Sequence, residues 1–98
     1  MHESELVAEL TSMAKAYTSI EKITLFGSRA RGSYHHTSDF DVCVICENEN
    51  DFSRFYFDVE DLDTFYKIDV LRHETISNDV LKSEIEKDGI VLYERKKQ

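Results

Sequence analysis

Residues Phe26 to Asp41 read FGSRARGSYHHTSDFD, bounded by the β-branched run KITLF before them and the apolar run FDVCVIC at their end. The stretch therefore joins two predicted strands. The chain has three glycines and no proline, so the placing of Gly27 and Gly32 here is informative. A glycine where a strand ends lets the backbone turn sharply and approach a ligand closely, and the amides of the following turn can converge on an anion. Ser28 adds a hydroxyl donor. The Gly27 to Gly32 spacing is that of a Walker A loop, but that loop needs Lys-Ser/Thr after its second glycine, and Ser33 and Tyr34 stand there instead. Taken alone, the glycines are equally well explained as turn residues.

The aspartates shift that balance. On a strand, residues i and i+2 project to the same face about 7 Å apart, so Asp39 and Asp41 stand side by side while Phe40 and Val42 turn to the apolar face. Two carboxylates so placed repel each other unless a cation lies between them. Mg²⁺ suits one or two such oxygens together with substrate phosphates, and a pair of ions about 3.5–4 Å apart would fit. Asp69 interrupts the apolar run KIDVL with Ile68 and Val70 on its other face. It reaches the same open face if its strand lies beside the one carrying Asp39 and Asp41. By itself it would be an edge residue facing water.

Outward from this centre, helices and strands alternate. Leu6, Val7, Leu10, Met13, Ala14 and Tyr17 form one stripe at helical spacing, which predicts an amphipathic helix over residues 4–18. Residues 28–32 predict one short helical turn, and SYHHT a loop. Phe52, Phe55, Tyr56, Val59 and Leu62 predict a second amphipathic helix, capped by Asn50 or Asp51. FYKIDVL reads as a third strand. A helix follows over 77–88, with Ser77 at its start and Gly89 as a left-handed C-cap, and IVLYE closes as a fourth strand. The expected fold class is α+β with αβ alternation: one small mixed sheet of about four strands, helices packed on one face and the other face partly open.

Ninety-eight residues fit a single domain spanning 1–98. A chain of this size buries roughly 65% of its unfolded surface, so a ligand cleft is shallow or completed by a partner, and a homo-oligomer stays open. The formal charge of −8 argues against direct nucleic-acid binding. No apolar run is long enough for a membrane span, and MHESELVAEL is not a signal peptide, which predicts a cytoplasmic protein. Cys43 and Cys46 have CxxC spacing, yet an offset of three along a strand points them to opposite faces, so they read as packing residues rather than a metal pair.

GSRARG followed five residues later by SDFD resembles the minimal nucleotidyltransferase pattern of the DNA polymerase β superfamily, matched at Gly27, Ser28, Ala30, Gly32, Ser38, Asp39 and Asp41. KIDVL resembles the strand that carries the family's third carboxylate, and IEKDGIVLYE its usual ending. The resemblance implies a palm-like nucleotidyltransferase fold and transfer of a nucleoside monophosphate from a triphosphate to a hydroxyl. It implies nucleotide contacts from Gly27, Ser28, Arg31, Gly32 and Ser38, and two Mg²⁺ ions held by Asp39, Asp41 and Asp69, with Asp69 also assisting deprotonation of the acceptor. Arg29 and Arg31 could touch the phosphates, against the plainer reading of both as solvated. Tyr34, His35 and His36 depart from the turn residues common at this point in the family. The adjacent histidines lack the i,i+4 spacing of a helical zinc site and read as an exposed loop. Small members of this kind pair with helical HEPN proteins as antitoxins. The implied function is thus Mg²⁺-dependent AMP transfer from ATP to a HEPN partner, on tyrosine. The competing readings are an antitoxin that neutralises its partner by binding alone, and nucleotide addition to RNA.

Overall fold

The computed structural model describes residues 2–33 and 39–96. Its elements run α1 (Glu3–Lys15), β1 (Ile20–Phe26), α2 (Ser28–Arg31), β2 (Phe40–Cys46), α3 (Glu49–Glu60), β3 (Ile68–Arg72), a 3-10 turn (His73–Thr75), α4 (Asp79–Asp88) and β4 (Ile90–Glu94). The strands form one sheet in the order β3-β2-β1-β4. β1 is antiparallel to both β2 and β4, whereas β2 and β3 are parallel and joined through α3. The mixed four-stranded sheet expected from the sequence is the one observed.

Alternation along β2 explains which residues form the core. Phe40, Val42, Val44 and Cys46 turn to one face and are buried there with Leu6, Leu10 and Ala14 of α1 and Phe55 and Val59 of α3. Phe40 and Phe55 are wholly buried, each contributing about 1.5–3 kcal/mol relative to an exposed ring. Ile20 and Ile23 of β1 reach this same face although they are three apart. The register against β2 steps from Ile20↔Cys46 to Lys22↔Ile45, so a bulge absorbs one residue of β1.

α1 and α3 thus take the expected side. α4 does not: Ile85 and Leu81 pack with Cys43, Phe26, Leu71 and Ile76 in a second cluster on the opposite face. Cys43 and Cys46 lie in different clusters, each buried and free, as alternation along the strand requires. At the end of β2 the ladder is closed by side chains. The Glu74 carboxylate accepts from the Cys46 amide at 3.0 Å, and Arg72 donates to the Cys46 and Glu47 carbonyls.

Several boundaries differ from the sequence reading. α1 stops at Lys15 rather than residue 18. α3 is capped by Asn48, whose Oδ1 accepts from the Asp51 amide, rather than by Asn50 or Asp51. α4 is capped by Asn78, accepting from the Val80 and Leu81 amides, rather than by Ser77. Gly89 is not left-handed: its φ of −68° and ψ of 148° are extended. Glycine stands there because a Cβ would fall 2.2 Å from the Ile85 carbonyl oxygen and 2.5 Å from Thr24 Cγ2, so α4 could not turn into β4 at this distance from β1. Among the described residues, no helix is long and apolar enough to cross a membrane.

Candidate active site

Two neighbouring strands and the turn after a third meet at a single point. β2 and β3 run parallel with Asp41 directly opposite Asp69, so both carboxylates emerge on the same face. Asp39 lies two residues before Asp41, just ahead of β2, and projects to that face as well. Asp39, Asp41 and Asp69 each place a carboxylate oxygen within 4.8 Å of the others. β1 arrives from the other side of β2 with Phe26 opposite Asp41. Gly27, the next residue, therefore sits against the Asp41 carboxylate.

Gly27 is constrained twice. Its φ of 76° with ψ of −156° lies in a region open essentially to glycine alone, and a Cβ there would come within 2.6 Å of Asp41 Oδ2. The turn and the carboxylate are thus in contact through the one residue small enough to allow it. Gly32 ends α2 in the left-handed conformation (φ 75°, ψ 8°), with open space where a Cβ would stand, so only its backbone demands glycine. Ser28 begins α2 and is partly exposed beside this turn.

The electrostatics of the centre are unfavourable without a cation. Partial burial pushes the Asp41 carboxyl above the usual carboxylate range, and the Asp69 charge, the Asp39 charge and a hydrogen bond with Asp69 push it further the same way. Lys67 opposes them: its Nζ lies 3.8 Å from Asp39 Oδ2, and its charge lowers the Asp41 value. A set of three converging carboxylates that repel one another fits hard divalent cations with oxygen ligands. Asp39, Asp41 and Asp69 are the residues that would hold them.

The arginines separate. Arg31 is exposed at the end of α2. Arg29 is not solvated: it is 5% exposed, with its guanidinium over the rings of Phe40 (5.6 Å) and Tyr66 (5.0 Å) and 3.5 Å from Glu3 Oε2. It ties the glycine turn to α1 and to the start of β2. Sequence reasoning missed this role, and it also missed Lys67. Ser38, Tyr34, His35 and His36 lie outside the described residues.

The geometry and the comparisons with known proteins agree on the class. The family model "Polymerase beta, Nucleotidyltransferase" matches residues 8–98, and the chain belongs to that family: it is a nucleotidyltransferase. It is similar to MJ1379 of Methanocaldococcus jannaschii, described as a protein adenylyltransferase, with 31% identity over 92 residues, covering 90% of this chain and 92% of that one. Its fold matches a chain in a crystal structure of a toxin–antitoxin with AMP-PNP (TM-score 0.67, 19% identity, covering 96% of this chain and 75% of that one). It also matches a chain in the complex of tri-AMPylated Shewanella oneidensis HEPN toxin with MNT antitoxin (TM-score 0.66, 15% identity, covering 96% and 74%). At these identities the two structural likenesses speak for the fold alone.

Proposed function

We propose that this chain is a Mg²⁺-dependent protein adenylyltransferase that transfers AMP from ATP to a tyrosine hydroxyl of a helical HEPN-type partner, and so acts as the antitoxin of that pair. The observation that carries the reading is the meeting of Asp39, Asp41 and Asp69 within 4.8 Å, beside a turn whose Gly27 leaves no room for a Cβ. The relative described as a protein adenylyltransferase, and the fold neighbour whose HEPN partner is AMPylated, support the acceptor class.

The chemistry is mainly positioning and neutralisation of charge. Two Mg²⁺ ions held by the three carboxylates would offset the charge of the phosphates and of the leaving pyrophosphate. Gly27, Ser28 and Gly32 give the triphosphate a turn that backbone can approach closely, with Arg31 and Ser38 as further contacts. Asp69 is exposed and stands at the outer strand of the three, so it faces the incoming hydroxyl and takes its proton. The hydroxyl oxygen bonds to the α-phosphorus, the bond from that phosphorus to the β-bridging oxygen breaks, and pyrophosphate carries away the electron pair. Arg29 keeps the turn and β2 in register by packing, away from the phosphates.

Intact-mass spectrometry of the partner tests this. With ATP and Mg²⁺, the partner should gain the mass of one or more AMP units less water. Asp39→Asn or Asp69→Asn should prevent the gain while leaving the complex intact. A partner silenced equally by wild type and Asp39→Asn, with no change of mass, would replace the enzyme with an antitoxin that works by binding alone.

A further inference from the structure

A groove of about 410 Å³ lies between α3 and β3, lined by Tyr56, Val59 and Glu60 of α3, by Leu62, and by Lys67 and Asp69. Asp69 belongs to both the groove and the carboxylate cluster. Among the described residues the groove follows an unpaired edge, because β3 is the outermost strand of the sheet on this side. The Phe40 amide donates to the Lys67 carbonyl at 2.8 Å. In a parallel ladder the inward-facing residues alternate, so Lys67, Asp69 and Leu71 turn their backbone groups to β2 while those of Ile68 and Val70 face outward. Such an edge accepts another strand unless something blocks it.

We propose that the acceptor enters as an extended, basic polypeptide segment that adds to the outer edge of β3 and fills this groove, with a hydroxyl-bearing residue in register with Asp69. The proposal rests on the reading of the chain as an AMP-transferring enzyme and adds how the acceptor is held. An added strand lies about 4.8 Å from β3 and alternates its side chains between the two faces. The residue beside Asp69 then emerges on the carboxylate face, and its neighbours turn toward Tyr56, Val59 and Leu62 on the α3 side. The aromatic surface is available: Tyr56 is 38% exposed, Phe57 66%, and Phe65, in the loop that borders the groove, is wholly exposed. Charge selects the occupant. Glu60 and Asp69 line the groove and Asp61 and Asp63 are exposed in the segment that borders it, against the single cation Lys67 among the described residues from 60 to 70. The chain as a whole carries −8. A basic segment is attracted and an acidic one repelled.

The test uses the full chain, labelled with ¹⁵N, with AMP-PNP and Mg²⁺ so that nothing is transferred. The probe is a short synthetic peptide with alternating valines, flanking lysines and one central tyrosine. Amide shifts should be saturable and confined to the C-terminal half of α3 and to β3, with slowed hydrogen exchange at Ile68 and Val70. Tyr56→Ser and Glu60→Lys should each weaken the peptide about tenfold and leave AMP-PNP affinity unchanged. Methylating the peptide's edge-facing amide nitrogens, or exchanging its lysines for glutamates, should abolish binding. No saturable shift, shifts elsewhere, undiminished binding of the methylated peptide, or concentration-dependent protection of the same amides by a second copy of the chain would each overturn the docking proposal. AMP-PNP binding without peptide binding would overturn the groove and spare the enzyme. Peptide binding at β3 without AMP-PNP binding would do the reverse.

Discussion

Replacing Gly27 by alanine puts a number on the contact between the turn and the carboxylates. At φ 76° and ψ −156°, a residue with a Cβ carries a strain of about 1–3 kcal/mol. The new Cβ would also start 2.6 Å from Asp41 Oδ2. That carboxylate must give by several tenths of an ångström, and turning it off its rotamer costs about 0.5–1.5 kcal/mol. The expected loss is therefore about 1.5–4.5 kcal/mol, which in a chain of this size lowers Tm by about 6 °C or more. Gly32→Ala is the internal control. Its φ is nearly the same at 75°, but nothing lies within 4 Å of the new atom, so only the backbone cost of about 1–2 kcal/mol applies.

Urea titration at constant m measures both variants, and a double-mutant cycle isolates the contact. Asp41→Ala in the Gly27→Ala background should recover at least about 0.5 kcal/mol relative to additivity, because the clashing oxygen is gone. Asp41→Ala with Gly32→Ala should be additive. Calorimetry with Mg²⁺ and ATP should show binding lost in Gly27→Ala and weakened less in Gly32→Ala, whose Cβ meets no protein atom within 4 Å. Equal losses of stability in the two glycine variants, or additivity of Gly27→Ala with Asp41→Ala, would refute the close approach that places the turn at the site.

Three further outcomes are expected. Asp41→Asn removes like-charge repulsion from Asp69 and Asp39, so the ligand-free protein should be as stable as wild type or more so, while its thermal response to Mg²⁺ and ATP, worth up to about 2.7 kcal/mol at a hundredfold excess over Kd in wild type, disappears; a variant that unfolds without ligand would show a structural carboxylate instead. Arg29→Met should cost about 1–3 kcal/mol by removing the guanidinium from the Phe40 and Tyr66 rings, and Arg29→Lys should not restore it, since an ammonium cannot stack as a plane; denaturant midpoints equal to wild type would contradict its burial. Burial pushes the Cys43 thiol up to about 11, with the Glu74 charge adding to it. The native state thus favours the protonated thiol, its contribution is complete below the unfolded value near 9, and it is lost as pH rises through 11, so stability should fall across that window and fall less in Cys43→Ala.

The sequence carried the site further than it carried the helix ends. Asp39 and Asp41 are legible because period-2 alternation is a local property of one strand, and Asp69 because a charged residue inside an apolar strand needs a reason. Their meeting required a non-local fact, the parallel pairing of β2 with β3, which the alternation of elements suggested but could not establish. The capping residues were misplaced by one to three positions because SNDV and ENEND offer several adjacent Ser, Asn and Asp side chains of similar capping strength. Gly89 was misread because its cause is tertiary. The sequence shows a glycine after a helix, and only packing shows Thr24 and the Ile85 carbonyl where its Cβ would be. The side chosen by α4 was hidden for a similar reason. β2 is apolar on both faces beyond Asp41, and nothing local says that Cys43 will be covered by Ile76 and Ile85.

Arg29 shows why chemistry inferred from a motif needs packing beside it. GSRARG places two arginines on a short turn beside the carboxylate cluster, and in the sequence both read alike. One turn of α2 points them differently: Arg31 to solvent, and Arg29 inward between two aromatic rings with Glu3 at its end. A buried cation near a carboxylate cluster invites reading as a ligand contact, but this one packs on Phe40 and Tyr66 and reaches Glu3 of α1. Those contacts fix where the turn lies relative to β2, and Gly27 then fixes how closely it approaches Asp41. The mixed sheet completes the centre. Antiparallel pairing of β1 with β2 brings the turn to Asp41, and parallel pairing of β3 with β2 brings Asp69 to its other side. Reversing either strand would leave the core faces apolar but would remove one side of the site. The direction of each strand, and not burial alone, is what brings the turn, Asp41 and Asp69 together.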